Sequence, residues 1–363
     1  MTIGFEEELM LLDPATLDLV PEAPAALVRV AGDERFKLEL PAAQLEIVTA
    51  PCESVGEAAG QLASARQALA GALEGSYRLG AAGVHPFASG LGVLNSTPRY
   101  DRTAREYGEV ARLQLVFGLH VHVGVSGADR ALSVFNALRS HLPEIAALAA
   151  NAPFYAGRDS GLASVRPKLS ELLPRQGIPP AFASWEALAA AFAWGARAER
   201  FEARQWWWEA RLHPVHGTIE IRVPDTQVTV ADTAAVGAVV HALVHQLCAR
   251  HDAGELRPAA DSWKIEENRW SACRYGNAGR LTDLETGESL ATRDRLEALL
   301  DSLQPSARAL GCSAELSGAR TLLAAQGATR QREVAEGAGM RGLVEWLADS
   351  FVPGSVSNAK SPG

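Results

Sequence analysis

Four segments of this chain set ionisable side chains in apolar company. They are GFEEEL with Glu6 and Glu8, LELPAAQLEIVT with Glu39 and Glu46, GLHVHVGV with His120 and His122, and GTIEIRV with Glu220 and Arg222. Successive side chains of a β-strand point to opposite faces, so Glu6 and Glu8 share one face and Glu7 takes the other. The same alternation pairs His120 with His122 and Glu220 with Arg222, while Val121, Val123, Ile219 and Ile221 turn the opposite way. Glu39 and Glu46 stand seven residues apart, and a turn at Pro41 puts them on adjacent passes of the chain. Any one pair fits a solvated edge strand. Four together, each flanked by aliphatics, need a common polar interior lined by one face of a sheet. Buried carboxylates repel one another and cost desolvation unless cations lie between them.

A donor set of carboxylates with one or two imidazoles suits Mg2+ or Mn2+ better than Zn2+, whose sites favour Cys and His. The five acids exceed the charge that one divalent ion offsets, so more than one metal is expected. Several metals in an acid-walled site that includes an arginine suit a nucleoside triphosphate. On this reading cations bridge Glu6 and Glu8, and Glu7 is expected to tolerate substitution better than either.

The elements that must position these groups follow from pattern. Strands are expected at 3–12, 36–40, 44–49, 119–125 and 217–223. Ser54 with Glu57 forms a capping box that opens a helix running to Gly80, and Thr103 with Glu106 forms a second, opening a helix to about Phe117. Further helices are expected over 129–150 (bent at Pro143), 184–202 and 229–251, with a mainly helical remainder. The fold class is therefore α+β in one domain over 1–352, with a disordered tail at 353–363. HALVH, with His241 and His245 at helical spacing but no intervening Glu at the HExxH position, reads as helix packing. RQWWWEARLHP carries Arg204 and Arg211, one of which can reach the site. ENRWSACRYG carries Asn268, Arg269 and Arg274, one or two of which can meet phosphate.

Composition narrows the function classes. A net charge of −9 argues against a nucleic-acid binder that works by broad phosphate neutralisation. The four cysteines, Cys52, Cys248, Cys273 and Cys312, form no CxxC pair, so neither a zinc ribbon nor a disulfide framework is indicated. No signal peptide and no uninterrupted apolar run of membrane-spanning length is present, which makes a cytoplasmic protein the expectation. No GxxxxGK[ST] occurs, which removes the P-loop class.

Taken in order, GFEEEL, the ExxxxxxE-I-x-T-x-P-C segment, GLHVHVGV, WWWEAR-x-H-P-x-x-G-T-I-E-I-R-V-x-D-T-Q and ENRW-x-A-x-R-Y-G resemble the family 2 glutamate–cysteine ligases, or carboxylate–amine ligases, of the glutamine synthetase-like superfamily. The resemblance spans roughly residues 3–280. It implies a curved, mainly antiparallel sheet that forms a funnel for ATP and Mg2+, with helices on the outer face. By motif position it implies Glu6, Glu8, Glu39, Glu46, His120 and Glu220 as metal ligands. His122 and Arg222 would meet the nucleotide phosphates or an acyl phosphate, with Arg211 and Arg274 as further nucleotide contacts. The implied reaction is ATP-dependent amide formation from an amino-acid carboxylate and an amine, with glutamate–cysteine ligase activity in a homo-oligomer, a dimer being the expected form. SVRPKLSELLPRQGIPP departs from the tryptophan-bearing pattern expected after Arg166, which leaves the substrates open. Two other classes compete: a metal-dependent hydrolase that uses HxH with carboxylates, and a non-catalytic nucleotide-binding relative.

Overall fold

The computed structural model describes residues 1–202, 205–213 and 215–352. Arg204 and the tail 353–363 lie outside the described residues. In chain order the strands are β1 (Ile3–Leu12), β2 (Phe36–Leu38), β3 (Gln44–Val48), β4 (Arg78–Gly80), β5 (Leu119–Gly124), β6 (Phe154–Tyr155), β7 (Arg158–Asp159), β8 (Ala210–His213), β9 (Thr218–Ile221), β10 (Arg280–Thr282) and β11 (Ser289–Ala291). Seven of them make one open sheet in the order β2-β3-β1-β5-β9-β8, with β4 against the end of β1. Every pairing in it is antiparallel. β6 with β7 and β10 with β11 form separate hairpins.

The register explains the alternation seen in the sequence. Glu6 stands opposite His120, Glu8 opposite Glu46, and Glu220 opposite both His122 and Arg211. Residues paired across antiparallel strands share a face, so these polar groups crowd one side of the sheet. The other side presents Phe5, Leu45, Ile47, Leu119, Val121, Ile219 and Ile221, all buried in the main core.

Two helices cover that apolar side. The helix Val55–Leu73 starts at Ser54, whose hydroxyl accepts the Glu57 N–H as the capping box predicts, but it stops seven residues short of Gly80, which ends strand β4 instead. The helix Val230–Asp252 packs so closely on β1 that a Cβ at Gly237 would lie 2.5 Å from the Phe5 ring. By length and composition this helix could cross a membrane, yet 78% of its apolar window is buried inside the fold. Asp232, His241, His245 and Gln246 interrupt its apolar run. His241 meets the Met1 carbonyl and His245 the Ser306 hydroxyl, so HALVH packs a helix, as read.

Glu7 departs from expectation. It does face away from Glu6 and Glu8, but into the core, where its carboxylate and the Arg66 guanidinium are both 0% exposed. Arg66 Nε and Nη2 donate to the two Glu7 oxygens at 2.8 and 2.7 Å. Its remaining N–H groups donate to the carbonyls of Gln227, Val228 and Phe351. The pair thus ties β1, the covering helix, the start of the helix Val230–Asp252 and the last described turn into one buried knot.

Two local expectations are corrected. The helix expected from Thr103 begins at Pro98 and ends at Tyr107. Thr97 is the better cap because its hydroxyl accepts the Tyr100 N–H and Pro98 then fits the first turn. Thr103 instead returns its hydroxyl to the Arg99 carbonyl. Glu39, expected within a strand, lies just past the end of β2, where Pro41 leads the chain round to β3.

Candidate active site

The polar face gathers its groups around Glu6 and His120. His120 Nδ1 lies 3.0 Å from one Glu6 oxygen and His122 Nε2 3.2 Å from the other. His120 also stands 3.9 Å from Glu8 and 3.9 Å from Glu220. Glu6, Glu46 and His120 offer ligand atoms within 4.8 Å of one another, and so do Glu6, His122 and Glu220. The buried Glu220 is held from two sides, by Arg211 and by Arg222, and Arg222 Nη1 also reaches to 3.3 Å from His120 Nδ1. Glu8 accepts the Gly118 N–H at 2.5 Å. A Cβ on Gly118 would crowd the Arg166 guanidinium at 3.2 Å and touch Glu8 and His120 at 3.4 Å.

Electrostatics divides the acids into two sets. Burial alone would raise Glu6, but contacts to His120 and His122 hold it well below the usual carboxylate range. Burial likewise opposes ionisation of Glu220, yet Arg222 and Arg211 keep it down at about 2. The other set lacks such partners. Burial and the neighbouring Glu39 charge lift Glu8 to about 7, and burial with Glu39, Glu6 and Glu8 lifts Glu46 well above its ordinary value. Glu39 is raised by burial in spite of Arg99 and Arg222. His120 is pushed down to about 4 by burial and the Arg222 charge, which leaves its imidazole neutral and able to ligate.

This surplus of unneutralised carboxylate is the test of whether metal fits. Burial and mutual repulsion raise Glu8, Glu39 and Glu46, a repulsion that cations would relieve, and the hard oxygen donors with one neutral imidazole suit Mg2+ or Mn2+. The His122 Nε2, on a residue only 8% exposed, has the Glu6 oxygen at 3.2 Å beside it, so both atoms face the same would-be cation site. The donor set fits divalent cations.

Beside the cluster opens a cavity of about 520 Å3, lined in part by Glu8, Glu39, His120 and Arg222. Its far walls come from the start of the helix Pro98–Tyr107 and from residues 166–176, with Trp207, Glu209 and Arg269. The segments 86–99 and 151–181 each contribute to these walls.

A family model described as glutamate-cysteine ligase family 2 (GCS2) matches residues 2–348. The chain belongs to this family. It is 39% identical over 359 residues to a Rubrobacter xylanophilus protein named "Putative glutamate–cysteine ligase 2-3", covering 96% of each chain. A Mycolicibacterium smegmatis protein named as a member of the same ligase group is 35% identical over 343 residues, covering 92% of this chain and 90% of that one. Among solved structures, the glutamate–cysteine ligase of Francisella tularensis in complex with AMP matches with a TM-score of 0.70. The match has 12% identity and covers 96% of this chain and 88% of the other; it shows a shared fold. Membership of a ligase family does not favour the hydrolase reading.

Within this family member, the site differs in detail from the sequence reading. Glu6, Glu8, Glu46, His120, His122, Glu220 and Arg222 come together as expected, and Arg211 joins them from β8. Glu39 reaches the cavity from beyond its strand. Arg274 does not reach it: its guanidinium donates to the Gly161 carbonyl and lies over the Tyr275 ring. From the same helix, Arg269 is the arginine that lines the cavity. Trp206 stacks on Phe182 in the core, while Trp207 turns to the cavity wall. The sequence reading missed Arg166, which grips Asp225 and the carbonyls of Arg222, Val223 and Pro224 and so braces the strand end that carries Arg222. Its signal in the sequence is the acid of RVPDTQ, Asp225, which needs a cationic partner.

Proposed function

We propose that this protein is an ATP-dependent carboxylate–amine ligase that joins L-glutamate to L-cysteine as γ-glutamylcysteine, releasing ADP and phosphate. The observation that carries the reading is the meeting of the acid and imidazole cluster with Arg222 at the edge of one cavity. The AMP held by the Francisella ligase supports an adenine nucleotide here. Mg2+ or Mn2+, held by Glu6, Glu8, Glu39, Glu46, His120 and Glu220, would supply the charge that draws triphosphate oxygens to the acids.

The chain's own work is positioning and charge. A substrate carboxylate oxygen attacks the γ-phosphorus of ATP and ADP leaves, giving an acyl phosphate. The amine then attacks the acyl carbon, phosphate leaves, and the amine proton is lost as the amide forms. Arg222 meets the transferring phosphoryl oxygens, with its fork oriented by Glu220, while His122 stands on the same face for the nucleotide phosphates. Arg211 takes part of the Glu220 charge, so Arg222 is not wholly spent on it. The walls at 97–103 and 166–176 limit water, to which an acyl phosphate would be lost.

The test is ADP release with Mg2+ and ATP over a matrix of amino acids. The expected result is release that requires both glutamate and cysteine, with γ-glutamylcysteine as product. ADP release that needs no amine, or none with any pair, would refute the reading.

A further inference from the structure

The geometry points to the Glu209 carboxylate as the group that receives the ammonium of the glutamate substrate in the cavity, an assignment that rests on the ligase reading above. Glu209 lines the cavity and is 7% exposed. Its Oε1 accepts Arg269 Nε at 2.6 Å, whereas Oε2 has no hydrogen-bond partner among the described residues. A carboxylate oxygen can only accept, and leaving one buried without a donor costs free energy that a bound ligand can recover.

Charge balance leads to the same group by a separate route. Arg269 is shared by three carboxylates, those of Glu171, Glu209 and Glu266. Lys168 also pairs with Glu171, at 2.8 Å. Arg166, the other nearby cation, is matched by Asp225 at 2.7 Å. Three acids therefore face two cations within this paired set, which leaves one negative charge over. Glu171 has two cationic partners, and Glu266 has both Arg269 and the Ile178 N–H. Glu171 takes both cations on one oxygen and keeps its other on a partly exposed side chain, so among the three Glu209 is the member with a buried oxygen to spare.

The missing cation is of the ammonium kind. Glu209 belongs to neither grouping of side chains able to hold a metal ion among the described residues, and one carboxylate already bound by a guanidinium is a poor cage for a divalent ion. A monovalent N–H donor matches both the single surplus charge and the single orphaned oxygen. The placement suits the reaction as well. The Arg222 N–H donates to the Glu209 carbonyl at 2.7 Å, so the two residues are backbone neighbours bordering one cavity. A substrate can then present its side-chain carboxylate towards the Arg222 end and its ammonium to Glu209.

The experiment is titration calorimetry on the full chain saturated with Mg2+ and a non-hydrolysable ATP analogue. L-glutamate is compared with glutarate, which differs only in lacking the amino group. The wild type is expected to prefer glutamate by on the order of tenfold to a hundredfold. Glu209→Gln is expected to bring that ratio close to one while nucleotide affinity stays within about twofold. A purely structural role would weaken both ligands alike and leave the ratio standing, which overturns the proposal, as does a wild type that fails to discriminate. Should Glu209→Gln fold poorly, Glu209→Asp keeps the charge for Arg269 but withdraws the carboxylate by one methylene, and the ratio is again expected to fall. If ADP release fails with every amino-acid pair and yet the ratio collapses in the variant, the ligase reading is lost and the ammonium site stands.

Discussion

Replacing Glu7 by Gln is expected to strike stability rather than the reacting centre. All five N–H groups of Arg66 are used: two on Glu7, the others on the carbonyls of Gln227, Val228 and Phe351. Thr233 adds a hydroxyl donor to Glu7 at 3.1 Å. Gln keeps the size of Glu7 but puts an NH2 where an oxygen faced Arg66, and it leaves a guanidinium charged at 0% exposure. Breaking a buried pair from one side costs about 3–5 kcal/mol, because the remaining charge stays desolvated. For a chain of this size each kcal/mol moves the midpoint by about 2 °C, so the melt should fall by roughly 6–10 °C. The assay is a thermal melt of ligand-free protein followed by circular dichroism, with Glu46→Gln alongside. Glu46 is a carboxylate that burial and its acidic neighbours already force towards the protonated form, so neutralising it should not lower the melt. Removing both partners, as Arg66→Met with Glu7→Leu, should restore most of the loss, since no orphaned charge remains. A Glu7→Gln melt within about 1 °C of wild type would refute the view that this pair ties β1 to the rest of the core.

Arg222→Lys should keep the fold and most nucleotide affinity while turnover falls about 10²–10³-fold, because a point charge cannot replace the planar fork on phosphoryl oxygens; near-normal turnover would remove Arg222 from the reacting groups. Urea midpoints should fall as pH drops from 7 to 4.5. Burial pushes both His85 and His241 down to about 4, so between about 6.5 and 4 the unfolded chain binds more protons than the native one. Stability is therefore lost on acidification, by on the order of 3 kcal/mol per histidine. His85 Nδ1 accepts the Ala88 N–H, and His85→Gln should flatten that pH dependence; an unchanged slope would refute the assignment. EDTA should abolish ADP formation without lowering the helical signal, since the apolar core lies on the other face of the sheet; stoichiometric zinc retained through dialysis would count against a Mg2+ or Mn2+ site.

The sequence alone determined which side chains share the site face. That follows from strand alternation, a property of the backbone that needs no knowledge of what lies opposite. Glu6 with Glu8, His120 with His122 and Glu220 with Arg222 could therefore be paired from spacing, and the sheet register sets them against one another as the pairing requires. The capping box at Ser54 was legible for the same reason, being a contact across three residues. Only tertiary structure decided what depends on distant neighbours. Glu7 looked expendable until Arg66, 59 residues away, was seen to close over it. Arg269 and Arg274 are indistinguishable as exposed-looking cations on one helix, and packing turned the first to the cavity and the second to Gly161. Glu209 sat in plain view beside three tryptophans, but its unpaired oxygen exists only because Arg269 satisfies the other one. Charge balance among residues far apart in sequence is a sum over folded neighbours, and no local pattern encodes it.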